Sequence, residues 1–192
     1  MVIRPSATLD LIWIGWLISW VAASFWSSPM QKRVATLETW TYRAVMIAGG
    51  ILLFARATHM LVVKPLWQMG LPAGYVFVAA LVLGLALCWW ARIHLGRLWS
   101  VAITRKEAHR VVDTGPYALV RHPIYTGLIV GLLATAAADG TAPALTGAAM
   151  MIVGLWLKAR TEERFLTAEL GAEAYSAYRR RVPMLIPFLP PG

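Results

Sequence analysis

A chain of 192 residues has the length of one ordinary domain, yet 59% of it is hydrophobic and only 14% charged, with a mean hydropathy of +0.62. That composition excludes a soluble globule and reads as an integral membrane protein. The formal charge of +9 lies in short segments flanking apolar runs, where positive-inside topology accounts for it without a nucleic-acid partner. Cys88 is the only cysteine, which excludes an intrachain disulfide or a multi-cysteine metal site and leaves it as a small buried hydrophobe.

Five apolar segments follow in chain order, about Leu9 to Phe25, Ala44 to Val63, Gly74 to Trp90, Ile124 to Ala138 and Ala142 to Leu157, against roughly 20 residues needed to cross a bilayer as a helix. The first carries Trp13, Trp16 and Trp20 and lacks a cleavage pattern, so it is expected to be a retained span. The last two are short. The turn-forming junction Asp139-Gly140-Thr141-Ala142-Pro143 joins them into an expected helical hairpin, and Gly127, Gly131, Gly147 and Gly154 give it surfaces where helix backbones approach closely. No fixed-period repeat is visible. The expected fold is therefore all-α and polytopic, one membrane domain over residues 1–192 with three spans in 1–94 and a polar, motif-bearing region in 95–192.

Basic residues set the expected orientation. Lys32, Arg33 and Arg43 follow the first span, only Lys64 follows the second, and Arg92, Arg97, Arg105, Lys106, Arg110 and Arg121 follow the third. This alternation places the N-terminus outside and puts the first loop, the third loop and the tail, with Arg179-Arg180-Arg181, in the cytoplasm. The tail begins Lys158-Ala-Arg160-Thr-Glu162-Glu163 and is expected to be an amphipathic helix to about Gly171, with Phe165, Leu166 and Leu170 on its apolar face.

The segment His109 to Gly127 gathers polar, ionisable and turn-forming residues between two apolar runs. Such residues are costly near membrane depth and mark it as a candidate site. Pro123 suits a first helical position, and Gly115-Pro116 makes a turn. Together they expose backbone donors able to hold a carboxylate or a nucleotide edge. His109 and His122 lack partners at metal-ligand spacing, so no metal is expected. No phosphate-binding loop, dinucleotide fingerprint or nucleophile elbow is present. Arg56 and His59 read as snorkelling residues, and Trp89, Trp90 and Trp99 as interfacial or packing aromatics.

Leu95-Gly-Arg-Leu-Trp-Ser100, His109-x-x-Val112, Gly115-Pro-Tyr117, Val120-Arg-His-Pro-x-Tyr125-x-Gly127, Glu162-Glu163 and Tyr175-x-x-Tyr178-Arg-Arg-Arg-Val-Pro183 resemble the isoprenylcysteine carboxyl methyltransferase family and its phospholipid N-methyltransferase relatives. The resemblance runs from Leu95 to Pro187. It implies a membrane methyltransferase that takes S-adenosylmethionine from the cytosol, releases S-adenosylhomocysteine and methylates a lipophilic acceptor entering from the bilayer. The cofactor pocket would lie on the cytoplasmic face, formed by the third loop, the last hairpin and the C-terminal amphipathic helix. By the same resemblance, the cofactor residues are His109, Arg110, Val111, Val112, Tyr117, His122, Pro123, Ile124, Tyr125, Glu162 and Glu163. A basic residue just before the glutamates, Lys158 or Arg160, would stand at the acceptor.

Methyl transfer from a sulfonium requires alignment and a dry pocket rather than a covalent nucleophile. With a carboxylate acceptor of prenylcysteine-like shape, Arg121 or Arg160 would orient the anion and Glu163 would hold cofactor amino or ribose groups. Arg121, Arg160 and Glu163 are thus the expected catalytic set. With a phospholipid amine, His122 or a glutamate would remove a proton. A nicotinamide-dependent membrane reductase and a non-enzymatic scaffold are the other readings.

Overall fold

The computed structural model describes residues 5–25, 37–55, 63–96, 111–170 and 172–189, which form helices and connecting turns with no strand among them. The helices are α1 (Pro5–Ser24), α2 (Leu37–Leu53), α3 (Leu71–Leu95), α4 (Pro123–Asp139), α5 (Ala142–Leu170) and α6 (Ala172–Arg181), with a 3-10 turn at Gly115–Ala118 before α4. Three are long and apolar enough to cross a membrane, namely α1, α3 and the stretch Ala142–Ala168 of α5. The remaining two expected spans, α2 and α4, are helices of 17 residues each.

Two expected elements are corrected. The second span is Leu37–Leu53, not Ala44 to Val63: Glu38 and Arg43 interrupt the apolar run without interrupting the helix, and the helix gives way to a turn at Phe54 and Ala55. Thr39 and Tyr42 are turned inward, and Arg43 lies over the Trp40 ring. At the other end, the fifth span and the amphipathic tail helix are one 29-residue helix rather than two elements. Alanine-rich and glutamate-rich stretches share the same strong helical preference, and neither proline nor glycine falls between Leu155 and Leu170 to stop the chain. Arg56 and His59, like His109 and Arg110, lie outside the described residues.

Spatial order differs from chain order. Helix α3 packs along α4, α5 packs along α2, the α4–α5 hairpin joins the two pairs, and α1 covers α3 and α4. Glycine makes the closest approaches. A Cβ on Gly127 would fall 2.2 Å from the Gly84 carbonyl oxygen, and one on Gly147 would fall 2.5 Å from that of Gly49. These are the small-residue contacts through which helices associate where no water drives burial. The core between them holds Leu81, Leu85, Leu132, Ala148 and Leu155. Trp13 is tied across it by an indole N–H donated to Thr135 Oγ1 at 2.9 Å. The hairpin turns at Gly140, whose φ of 69° is a left-handed C-cap that bonds back to Ala136. This close-packed bundle carries the polar motifs at the opposite end of α4 from that turn.

Candidate functional site

The site is built where α4 begins. Pro123 opens the helix and His122 is its N-cap residue. With φ fixed by Pro123 and its absent N–H costing nothing at this position, the His122 ring stacks on Tyr125 with centroids 5.3 Å apart and planes 5° from parallel. Helix α5 supplies the opposite wall. Tyr125 donates its hydroxyl to Glu162 Oε1 at 2.6 Å, and Lys158 Nζ lies 3.8 Å from the same oxygen and 5.1 Å from the Tyr125 ring centroid. The His122 ring stands between two carboxylates, Nδ1 at 3.6 Å from Glu162 and Nε2 at 3.4 Å from Glu163. Nε2 is buried and has no aligned hydrogen-bond partner.

The two adjacent glutamates differ. Glu163 is buried, and Arg121 holds it by a two-pronged contact, Nε to Oε1 at 2.6 Å and Nη2 to Oε2 at 3.3 Å. Glu162 has a side chain 21% exposed, next to a Lys158 side chain 18% exposed, so these two form the open side of the cluster. Helical spacing explains the division, since Lys158 and Glu162 are four residues apart and share a face, whereas Glu163 is turned about 100° further round.

Sequence reasoning expected Glu163 near the His122–Tyr125 turn, and the structure brings them together. Two residues of the expected catalytic set lie apart from the open side of this cluster. Arg160 does not join the cluster. It lies two residues round the helix from Lys158 and places its guanidinium 4.8 Å from the centroid of the exposed Trp156 ring. Arg121 is buried, and its hydrogen bonds go to Glu163 and to the Arg179 and Val182 carbonyls.

Tyr117 is buried in the 3-10 turn beside the cluster, stacked on His94 of α3 at 6.3 Å between centroids. Gly115 holds a φ of 58°, and any Cβ there would strike the same imidazole at 2.7 Å. His94 also shares a 2.9 Å hydrogen bond with Thr114 Oγ1. No spacing in the sequence marks His94, because its role is to bring the end of α3 against a turn 20 residues later. Val111 packs against Tyr175, Tyr178 and Val182, while the Ile124 carbonyl accepts a hydrogen bond from the Cys88 thiol. His109 and Arg110 are outside the described residues.

The C-terminal segment, also absent from the expected site list, closes the cluster from behind. The Arg121 and His122 amides donate to Pro183 O at 2.8 Å and Met184 O at 3.1 Å. Thr126 Oγ1 donates to Leu185 O at 2.6 Å, and the buried Tyr178 hydroxyl to Tyr117 O at 2.7 Å. Burial, outweighing nearby charges, raises the Tyr178 phenol above its ordinary range and keeps it a neutral donor. Among the described residues no group of histidine, cysteine or carboxylate side chains could hold a metal ion.

The chain matches the isoprenylcysteine carboxyl methyltransferase (ICMT) family model over residues 76–168, from α3 through most of α5. It is 34% identical over 106 residues to the protein-S-isoprenylcysteine O-methyltransferase of Schizosaccharomyces pombe, covering 52% of this chain and 43% of that protein. Against the cobalt-zinc-cadmium resistance protein CzcN of Cupriavidus metallidurans the identity is 32% over 116 residues, with coverages of 59% and 52%. The methanethiol S-methyltransferase of a Pseudomonas species is 30% identical over 168 residues, covering 82% of this chain and 63% of that protein. The chain spans about half the length of the curated relatives it matches.

Proposed function

We propose that the protein is a membrane methyltransferase that binds S-adenosylmethionine at the α4 entrance and methylates a lipophilic acceptor, with a prenylcysteine-like carboxylate as the leading acceptor class. The family-model match over residues 76–168 and the relatives named as methyltransferases support methyl transfer. The observation that carries the site assignment is the joining of two separate motif blocks, Tyr125 to Glu162 at 2.6 Å.

The residues present fit the cofactor chemically. A partly exposed carboxylate and aromatic faces suit a ligand with ammonium and sulfonium cations, a ribose diol and a flat base. Glu162, Tyr125, Tyr117, His122, Pro123 and Ile124, with Val111, Val112 and the His109-Arg110 strip, would hold it. The cofactor supplies an electrophilic methyl group when bound. The protein's own part is alignment, exclusion of water by the apolar bundle and charge placement. Lys158, the partly exposed cation of the cluster, would attract and orient an anionic head while the acceptor's apolar part stays in the bilayer. By the charge pattern of the loops, the site faces the cytoplasm.

A protic acceptor, an amine or a thiol, is favoured by one observation, the accessible Glu162 carboxylate, which could take the proton such a nucleophile must lose. Calorimetric titration of the detergent-purified protein with S-adenosylhomocysteine tests the cofactor assignment. Saturable binding lost in Tyr125→Ala and Glu162→Gln is expected. Failure of folded wild type to bind, or binding of a nicotinamide dinucleotide instead, would overturn it. Radiolabelled methyl transfer to N-acetyl-farnesylcysteine, compared with phosphatidylethanolamine and an alkyl thiol, then decides the acceptor.

A further inference from the structure

The Arg121–Glu163 pair is almost wholly enclosed, with side chains 2% and 7% exposed. Arg121 makes four hydrogen bonds to protein, two to Glu163 and one each to the Arg179 and Val182 carbonyls, of the five its guanidinium has available. Arg179 adds a second cation 3.6 Å from Glu163 Oε2. A buried ion pair of this kind gives little stability beyond what apolar side chains of the same volume would give, but breaking it is costly, so its effect lies in fixing geometry. The geometry fixed here is the seat of the C-terminal segment. Residues 178–185 meet the cluster through Tyr178, Arg179, Val182, Pro183, Met184 and Leu185, and their hydrogen bonds fall on Tyr117, Arg121, His122 and Thr126. Each of these four lies in or beside the turn that presents Tyr125.

We infer that Arg121 and Glu163 are positioning residues rather than groups that touch substrate or cofactor. They latch segment 178–185 against the His122 turn, and seating that segment shapes the ligand side formed by Tyr125, Glu162 and Lys158. The two consecutive glutamates thereby divide the work, Glu162 towards the ligand and Glu163 towards the latch. The inference rests on the methyltransferase reading for the identity of the ligand. The segment lies beyond residue 168, where the family model's match ends, so its role is argued from this chain's contacts alone.

If seating and binding are coupled, they must be coupled reciprocally. Any factor by which loosening the segment weakens ligand affinity is the factor by which ligand favours the seated segment. The experiment uses the full chain in detergent, with S-adenosylhomocysteine as probe. Limited trypsinolysis at the exposed Arg180 and Arg181, followed by mass spectrometry, reads the segment. In Glu163→Gln, cleavage there should accelerate about tenfold, the dissociation constant should rise by a similar factor, and saturating probe should slow the cleavage again. Arg121→Lys, which keeps the charge but cannot span both glutamate oxygens and two carbonyls, should behave the same way if Glu163→Gln proves too unstable to purify. Glu162→Gln should lose affinity with the segment as protected as in wild type.

Faster cleavage with unchanged affinity would overturn the coupling and leave the pair purely structural. Lost affinity with unchanged cleavage in Glu163→Gln would overturn the division of roles, since Glu163 would then contact the ligand. A wild type that keeps its segment protected but binds no probe would instead refute the methyltransferase reading, and with it the ligand half of this inference.

Discussion

Replacing Gly127 by alanine tests whether the contact between α3 and α4 is as close as described, and whether it supports the site two residues earlier. The added Cβ would lie 2.2 Å from the Gly84 carbonyl oxygen and 2.7 Å from Cys88 Sγ. Ordinary contact between non-bonded heavy atoms is near 3.5 Å, so the helices must separate by roughly 1 Å over their shared length. Overpacking of this kind costs about 1–3 kcal/mol. Gly→Ala in a helix also gains up to about 1 kcal/mol of helical preference, which would mask part of the loss.

Gly15→Ala isolates the steric part. Gly15 is also within a helix, α1, but no atom lies within 4 Å of the Cβ it would gain. Because the preference gain is common to both substitutions, the difference between the two variants is the packing cost. For a chain of this size about 1 kcal/mol corresponds to a shift of roughly 2–4 °C, so Gly127→Ala should melt about 2–12 °C below Gly15→Ala. Thermal unfolding in one detergent, followed by tryptophan fluorescence, measures it. Equal melting temperatures would refute the close α3–α4 crossing. A full-sized drop with wild-type S-adenosylhomocysteine affinity would show instead that the crossing does not govern the site.

Three further outcomes are expected. Tyr178→Phe leaves the buried Tyr117 carbonyl without its 2.7 Å donor, a loss of about 1–3 kcal/mol, to be read as a lower denaturation midpoint at unchanged slope. Once an acceptor is identified, Lys158→Ala should raise its KM about tenfold or more, as expected for losing a charged hydrogen bond of about 1.5–3 kcal/mol, while Arg160→Ala, stacked on Trp156, should stay near wild type; the reverse pattern would return the acceptor role to Arg160. Cys88, fully buried against α4, should resist a polar thiol reagent in the folded protein and react stoichiometrically after denaturation, as counted by intact mass.

The site was more legible than the boundaries of the helices that hold it. Turns and helix entrances are written in local chemistry. Gly115-Pro116 and His122-Pro123 mark such features by fixed backbone preferences, and the polar cluster around them stands out in an apolar chain. Helix ends that lie among charged residues are not marked this way, which is why Glu38 and Arg43 hid the first turns of α2 and why α5 ran through an expected boundary at Lys158. That Lys158 rather than Arg160 stands beside Glu162 was available from helical periodicity alone, since residues four apart share a face. The fates of Arg121, His94 and Tyr178 were not available. Each depends on a partner 20 to 61 residues away, and no local pattern reports whether a guanidinium will meet a ligand or the chain's own carbonyls.

The continuity of α5 fixes the height of the site. At 1.5 Å per residue, Lys158 stands about 24 Å along the helix from Ala142, and the whole rod is about 43 Å long against a hydrocarbon layer of about 30 Å. The lower turns and the reactive end belong to one rigid rod, so the bilayer acts as a ruler. Its thickness decides how far Lys158 and Glu162 stand above the acyl chains and, on the proposed methyltransferase reading, how long the hydrocarbon part of an acceptor must be for its head to reach them. Reconstitution in thinner or thicker membranes would thus retune acceptor length without altering a single residue.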